Sequence, residues 1–530
     1  MVLRLCAVAF LLLSFLPSLA SGETLTGVLG EAIVENLHKQ THRREFFLAN
    51  GRERVALAVT REDAQQWNIE QLLNRHVEIE TPGTEHSGVS ARHVASVRAT
   101  AREGNVDAQL VSGNRNLLVI LFNLADSQVT ATSTSVRQAI DGAMPSLDSL
   151  VNANSFGIAT IGNVDIVGPF TINYNAIQCN HLNWATDLQA LAVANGVDLS
   201  NYQHVLHVGP EAIGAACGWA GIAEMFFSNS WYVSSIDPTL LAHELGHNFG
   251  FRHSSTDLNN DNVIDAEYGD LGCIMAGYGG TYSLAHAPQQ DWNVSAGGSP
   301  VVITAPVSTE ITLKPQQLLP VSAGGEQLVQ IEIPSFGAPY FISFRKNLGT
   351  AMPGYDLGTA FNDKVYVQRR NTTQSNTRLV SRMHPGQSFT DSAYGTGMTI
   401  EFVSRDDTSA NLRVTFGPMD SDSDGTQNSA DTDDDNDGVE DSADCAPLTA
   451  SLWRNRAYVD NDEDGAPDFT GLVETPECFG TSPPARFTMT ASPLDNCVGV
   501  ANATQADSDS DGVGDVCDPS GNPNGFALSN

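Results

Sequence analysis

Positive charge is scarce in this chain. Against 62 Asp and Glu it sets only 27 Lys and Arg, a formal net charge of −35 at pH 7, and such a surplus opposes binding to nucleic acid or to an anionic membrane. Long apolar runs are also lacking. The stretch from Leu5 to Leu16 is shorter than the ~20 residues that span a bilayer. With Arg4 before it and Pro17 and Ser18-Leu19-Ala20-Ser21-Gly22 after it, it reads as a signal peptide over residues 1–22. A buried N-terminal helix is the competing reading, but it would carry polar residues along one face. The expected product is secreted, with no membrane span once the signal is removed. No Gly-x-Ser-x-Gly segment is present, which leaves an esterase of the serine type without its nucleophile elbow.

Cysteine is sparse and unevenly placed. Of eight, Cys6 lies in the signal, and residues 23–110 contain none. Cys445, Cys478, Cys497 and Cys517 sit in an acidic tail and can form two bridges in three ways. Cys179, Cys217 and Cys273 leave one thiol over, either free and buried or bonded to another chain, in an export route that favours disulfides.

At 530 residues the chain exceeds one hydrophobic core, so several domains are expected. Residues 23–110 alternate apolar and polar positions, as in Val55-Ala56-Leu57-Ala58-Val59 and His76-Val77-Glu78-Ile79-Glu80, which predicts a small β-rich domain. Residues 111–299 change character. Leu117 to Leu124 is continuously apolar, the mark of a strand buried on both faces, and a helix is predicted over about 133–152, giving an α/β domain. Residues 300–418 hold short apolar runs between turns, the pattern of a β-sandwich. Residues 419–518 carry 24 Asp and Glu against 3 Arg, and residues 519–530 read as a flexible terminus.

The segment His243-Glu244-Leu245-Gly246-His247-Asn248-Phe249-Gly250-Phe251-Arg252-His253 carries chemistry. Asp237 can cap a helix with Pro238 in its first turn. On that helix His243 and His247 are four apart and project from one face toward a single metal. Gly250 can end the helix in the left-handed conformation, and the chain then returns with His253 as third ligand. Three neutral histidines leave one zinc position open for water, which Glu244 would deprotonate before passing the proton to the leaving amine.

This HExxHxxGxxH pattern resembles the metzincin zinc endopeptidases. The resemblance implies a Met-turn beneath the metal, and Met275 stands where that methionine is expected, although a lone Met is more often core filler. It also suggests Tyr278 as an oxyanion aid, at a spacing unlike that of other metzincins. Within that group the chain is similar to the gametolysin family at Asn114–Leu124, at Ser155-Phe156-Gly157 leading into Gly168-Pro169-Phe170, at Glu267-Tyr268-Gly269-Asp270 before Met275, and at Ala287-Pro288 before Trp292. The likeness runs over roughly residues 23–418. It implies an extracellular protease acting on matrix or cell-wall proteins. Residues 23–110 then resemble a propeptide. Many metzincins are kept latent by a cysteine thiolate, and this segment has none, so latency would need a carboxylate, one of His38, His42, His76, His86 and His93, or steric cover. A permanent accessory domain is the alternative.

The tail resembles thrombospondin type 3 repeats and implies calcium. Its candidate ligands are Asp420, Asp422 and Asp424, then Asp433, Asp435, Asp437 and Asp441, then Asp460, Asp462, Asp464 and Asp468, then Asp507, Asp509, Asp511 and Asp515. Alternate carboxylates followed by Gly can wrap a hard cation. Plain acidic disorder is the competing reading. A fainter EF-hand-like pattern, Asp257, Asn259, Asp261 and Asp265, has Asn262 where Gly is expected and reads equally as a polar loop. A second function class also stands: a calcium-dependent surface or matrix-binding protein on an inactive peptidase scaffold. Glu244 argues against it, since a relic site commonly loses its base.

Overall fold

The structure is a computed structural model. Its described residues are 23–36, 39–81, 91–94, 96–99 and 111–417, apart from 234–235, 278–279, 306–307, 321–323, 334–337, 347–360, 372–374 and 392–396, together with most of 422–517. The expected signal peptide lies outside them. The chain divides into two compact units, Met1–Leu29 with Phe46–Asn105, and Gly30–Glu45 with Val106–Asn530.

In the first unit Glu23–Val28 pairs antiparallel with Val28's partner strand His76–Thr81, and Phe46–Asn50 pairs with Glu53–Leu57. Leu29, Phe46, Leu48, Leu57, Val77 and Ile79 share its core. Phe46 and Leu48, like Val77 and Ile79, are two residues apart, so the alternation legible in the sequence is the alternation of the pleat. Residues 30–45, expected to fall within this domain, group with the second unit.

The second unit contains most of a mixed sheet. Gly113–Asn123 runs parallel to both Ala159–Thr171 and His204–Gly209, and its positions 117–122 are fully buried, as a continuous apolar run requires. Asn229–Val233 continues the sheet in parallel, Gly221–Glu224 adds to it antiparallel, and Ala32–Glu35 pairs antiparallel with Gly221–Glu224. The helix predicted over 133–152 is two helices, Ser133–Asp141 and Leu147–Asn154. Pro145 lies between them and cannot donate a backbone hydrogen bond, so each helix carries its own capping box, from Thr132 and from Ser146.

Where a β-sandwich was expected, a six-stranded and a four-stranded sheet have inner residues that form one cluster, including Val329, Ile342, Val367, Ile400 and Leu412. The six-stranded sheet reaches beyond residues 300–418, because Ser254–Thr256, directly after His253, pairs in parallel with Thr377–Leu379. Gln368 Nε2 donates to Asp270 Oδ2 at 2.7 Å and Arg345 donates to the Gly272 carbonyl at 2.7 Å. The sandwich thus braces the loop leading to Met275. In the tail Arg454–Val459 pairs with Val473–Phe479 and Phe487–Thr488. Disulfides join Cys179–Cys217, Cys445–Cys478 and Cys497–Cys517, and Cys273 is the free, buried thiol. No described helix is long and apolar enough to cross a membrane.

Candidate metal centre

The helix that presents the first two histidines spans Pro238–Asn248, and Asp237 Oδ1 accepts from the backbone N–H groups of Thr239 and Leu240 at 2.8 and 3.3 Å. Its N-terminal donors are thereby satisfied. Gly250 follows the helix at φ 94°, the left-handed turn the sequence called for, and it brings His253 back to His243 and His247. The rings of His247 and His253 lie 5.0 Å apart, and those of His243 and His247 also 5.0 Å.

Each imidazole is oriented by the nitrogen that faces away from the site. Nδ1 of His243 meets the Ile274 carbonyl at 2.8 Å and Nδ1 of His247 meets the Phe251 carbonyl at 2.8 Å. Nδ1 of His253 meets Glu267 Oε1 at 2.7 Å. Carbonyls and carboxylates only accept, so each ring donates its Nδ1–H outward and turns Nε2 inward, the orientation a metal ligand needs. Glu267 is itself held by Asn376 Nδ2 at 2.6 Å. The donor set fits zinc: three imidazoles converge on one focus with their outer nitrogens held.

Glu244 is fully buried and both its carboxylate oxygens lack a hydrogen-bond partner among the described residues. Burial first, and then the charge of Glu35, push its pKa well above the ordinary carboxylate range. A Cβ added at Gly221 would sit 1.8 Å from Glu244 Oε1, so the adjoining strand leaves this carboxylate its space only because Gly stands there. Met275 is buried in a short turn over Ile274–Ala276. A Cβ at Gly246 would lie 2.8 Å from its Sδ, so the methionine packs directly on the zinc helix.

Two residues of the centre escaped the sequence reading. Glu35, fully buried, brings Oε2 to 2.7 Å from His243 Nε2 and Oε1 to 3.2 Å from His247 Nε2, and it also meets His253 Nε2. Tyr268 Oη donates to Glu35 Oε1 at 3.1 Å. Glu35 sits more than 200 residues from the motif, as the 212-residue separation from His247 shows, and nothing local marks it. Tyr268 was legible only as part of the family-like Glu267–Asp270 stretch. Tyr278 lies outside the described residues; among the described residues Tyr268 brings a hydroxyl to the centre.

The tail carboxylates repeat one arrangement. Asp433 Oδ2 accepts from Gly438 N at 3.0 Å and Asp460 Oδ2 from Gly465 N at 2.9 Å. Asp441, Asp468 and Asp515 accept from the backbone of Asp434, Asn461 and Ser508 at 2.8, 3.3 and 2.7 Å. Asp433, Asp435 and Asp437 gather closely enough to hold one ion, as do Asp422, Asp424 and Asp431. Asp420, Asp509 and Asp511 lie outside the described residues. In the loop after His253, Asp257 accepts from the N–H groups of Asp261 and Asn262 at 3.0 and 3.1 Å. Asp265 accepts from Leu258 N at 2.6 Å, and Asn259 donates to Asp261 at 2.6 Å.

No curated protein matches the chain. A solved structure of a chaperone–substrate complex aligns at 12% identity over 41% of this chain and 33% of that one, with a TM-score of 0.19, a likeness too slight to bear on the fold. The chain spans about a third of that structure's length. Residues 148–393 match the family model described as gametolysin peptidase M11. That range holds all three histidines, Glu244, Glu267, Tyr268 and Met275, so the part of the chain that carries the centre is similar to the gametolysin peptidases.

Proposed function

We propose that the protein is a secreted zinc endopeptidase that hydrolyses extracellular proteins, of matrix or cell wall, with Glu244 as general base. The observation that carries this reading is the convergence of three Nε2 atoms, each with its Nδ1 engaged, beside a buried and unpartnered carboxylate. Bound zinc would lower the pKa of a water toward ~7 and polarise the scissile carbonyl. Glu244 takes the proton of the attacking water and delivers it to the leaving amine. His243, His247 and His253 hold the ion, and Ile274, Phe251 and Glu267 keep their rings in place.

The tail is read as calcium-binding. Asp433 Oδ1, Asp437 Oδ2, Asp462 Oδ2 and Asp468 Oδ1 are buried without a hydrogen-bond partner among the described residues, while other oxygens of the same carboxylates accept backbone N–H groups. Carboxylates divided in this way suit a hard cation with oxygen ligands.

The test is cleavage of a mixed peptide library by the purified protein, before and after limited proteolysis, with and without a chelator. Glu244→Ala is expected to keep zinc and fold yet lose at least about a hundredfold in cleavage. Normal cleavage by that variant would assign the base to another residue.

A further inference from the structure

We propose that Glu35 is a fourth protein ligand of the metal centre in the full-length chain, closing the position that hydrolysis requires. The inference rests on the zinc reading above. Glu35 lies outside the matched range 148–393, and its role follows from the geometry of the cluster. All three Nδ1 atoms already face acceptors on the outer side of the rings. On the inner side, Glu35, His243, His247 and His253 each offer one ligand atom, all four atoms lie within 4.8 Å of one another, and all four residues are buried. His243 Nε2 lies 2.7 Å from Glu35 Oε2, and both atoms are buried without a geometrically sound hydrogen bond among the described residues. A nitrogen and a carboxylate oxygen so placed share a focus suited to a cation. Three neutral imidazoles and one carboxylate make a four-coordinate zinc set, and a set of four protein ligands is the closed, structural form, whereas a working peptidase keeps one position open.

The segment that carries Glu35 is anchored so that no other side chain can take its place. Ala32–Glu35 pairs antiparallel with Gly221–Glu224. Ala220 N donates to the Glu35 carbonyl at 2.7 Å and Met225 N to the Glu31 carbonyl at 2.9 Å. Glu31, four residues earlier and therefore on the same face of the strand, is buried and bonds Arg44 at 2.6 Å as well as Arg252, the neighbour of His253. A slip of one residue would turn both carboxylates away from the centre. Tyr268 adds a hydrogen bond to Glu35 Oε1. The latch thus performs with a carboxylate what the cysteine-free segment 23–110 cannot perform with a thiolate.

Cobalt-substituted full-length protein provides the test, because the visible absorption of the ion reports its ligands. Metal content is measured first; a chain that binds no cobalt overturns both the zinc reading and this proposal. In cobalt-loaded wild type, acetohydroxamate, a small metal-chelating ligand, is expected to leave the spectrum unchanged at concentrations that shift Glu35→Ala and Glu35→Gln. The tethered carboxylate competes at high effective concentration, so the gain in hydroxamate affinity should be about tenfold or more. Glu35→Gln is nearly isosteric and covers the case in which the alanine variant does not fold. If metal is bound, and wild type and the folded variant share the same spectrum and the same hydroxamate affinity, Glu35 is not a ligand and the zinc reading alone survives.

Discussion

A few atoms set the chemistry at the scale of single residues. The spacing of His243, His247 and His253 made the trio legible, since residues four apart on a helix share a face. The partners that fix their rings were not legible, because Ile274 and Phe251 contribute only backbone carbonyls. Glu35 was hidden for another reason. A carboxylate in an apolar strand, Gly30-Glu31-Ala32-Ile33-Val34-Glu35, has no local partner, and only the fold shows what it faces. Glycine matters at one place above all: with a Cβ, residue 221 would sit 1.8 Å from Glu244 Oε1. The end of a flexible side chain can move, so Gly221→Ala should fold and bind metal. The displaced carboxylate should nonetheless slow peptide cleavage by about tenfold to a hundredfold, the scale of an ångström-sized misplacement. Unchanged turnover with unchanged metal content would show that Glu244 does not act from this position.

Secondary-structure elements position these residues through their ends. Asp237 caps the zinc helix through two backbone N–H groups, and replacing such a cap with alanine typically costs about 1 kcal/mol. Asp237→Ala should therefore lower the urea midpoint modestly and leave zinc stoichiometry intact, which paired denaturation and metal measurements would check; an unaltered midpoint would mean the cap contributes nothing. Start and stop signals of this helix were readable because Asp, Pro and Gly act locally. The helix over 133–152 was misread as continuous, since its apolar spacing persists across Pro145 while the backbone cannot. Ser254–Thr256 was missed altogether as a strand of the sandwich, because its partner Thr377–Leu379 is set by tertiary packing.

For the whole molecule, charge distribution was visible in composition, but the grouping of residues 30–45 with Val106–Asn530 was not. A contiguous reading assigns neighbours in sequence to one domain, whereas Ala32–Glu35 satisfies its backbone against Gly221–Glu224. The tail holds 24 Asp and Glu against 3 Arg over residues 419–518, and that repulsion is relieved by cations. Small-angle scattering of the full chain should show a smaller radius of gyration in calcium than in a calcium-selective chelator. Equal radii would favour plain acidic repulsion without specific sites.

The proposed function requires that His243, His247 and His253 hold one zinc. Elemental analysis of the purified chain and of His247→Ala tests it most directly. The wild type should carry about one zinc per chain and the variant far less, as loss of one of three histidine ligands requires. Equal zinc in both proteins would contradict the claim.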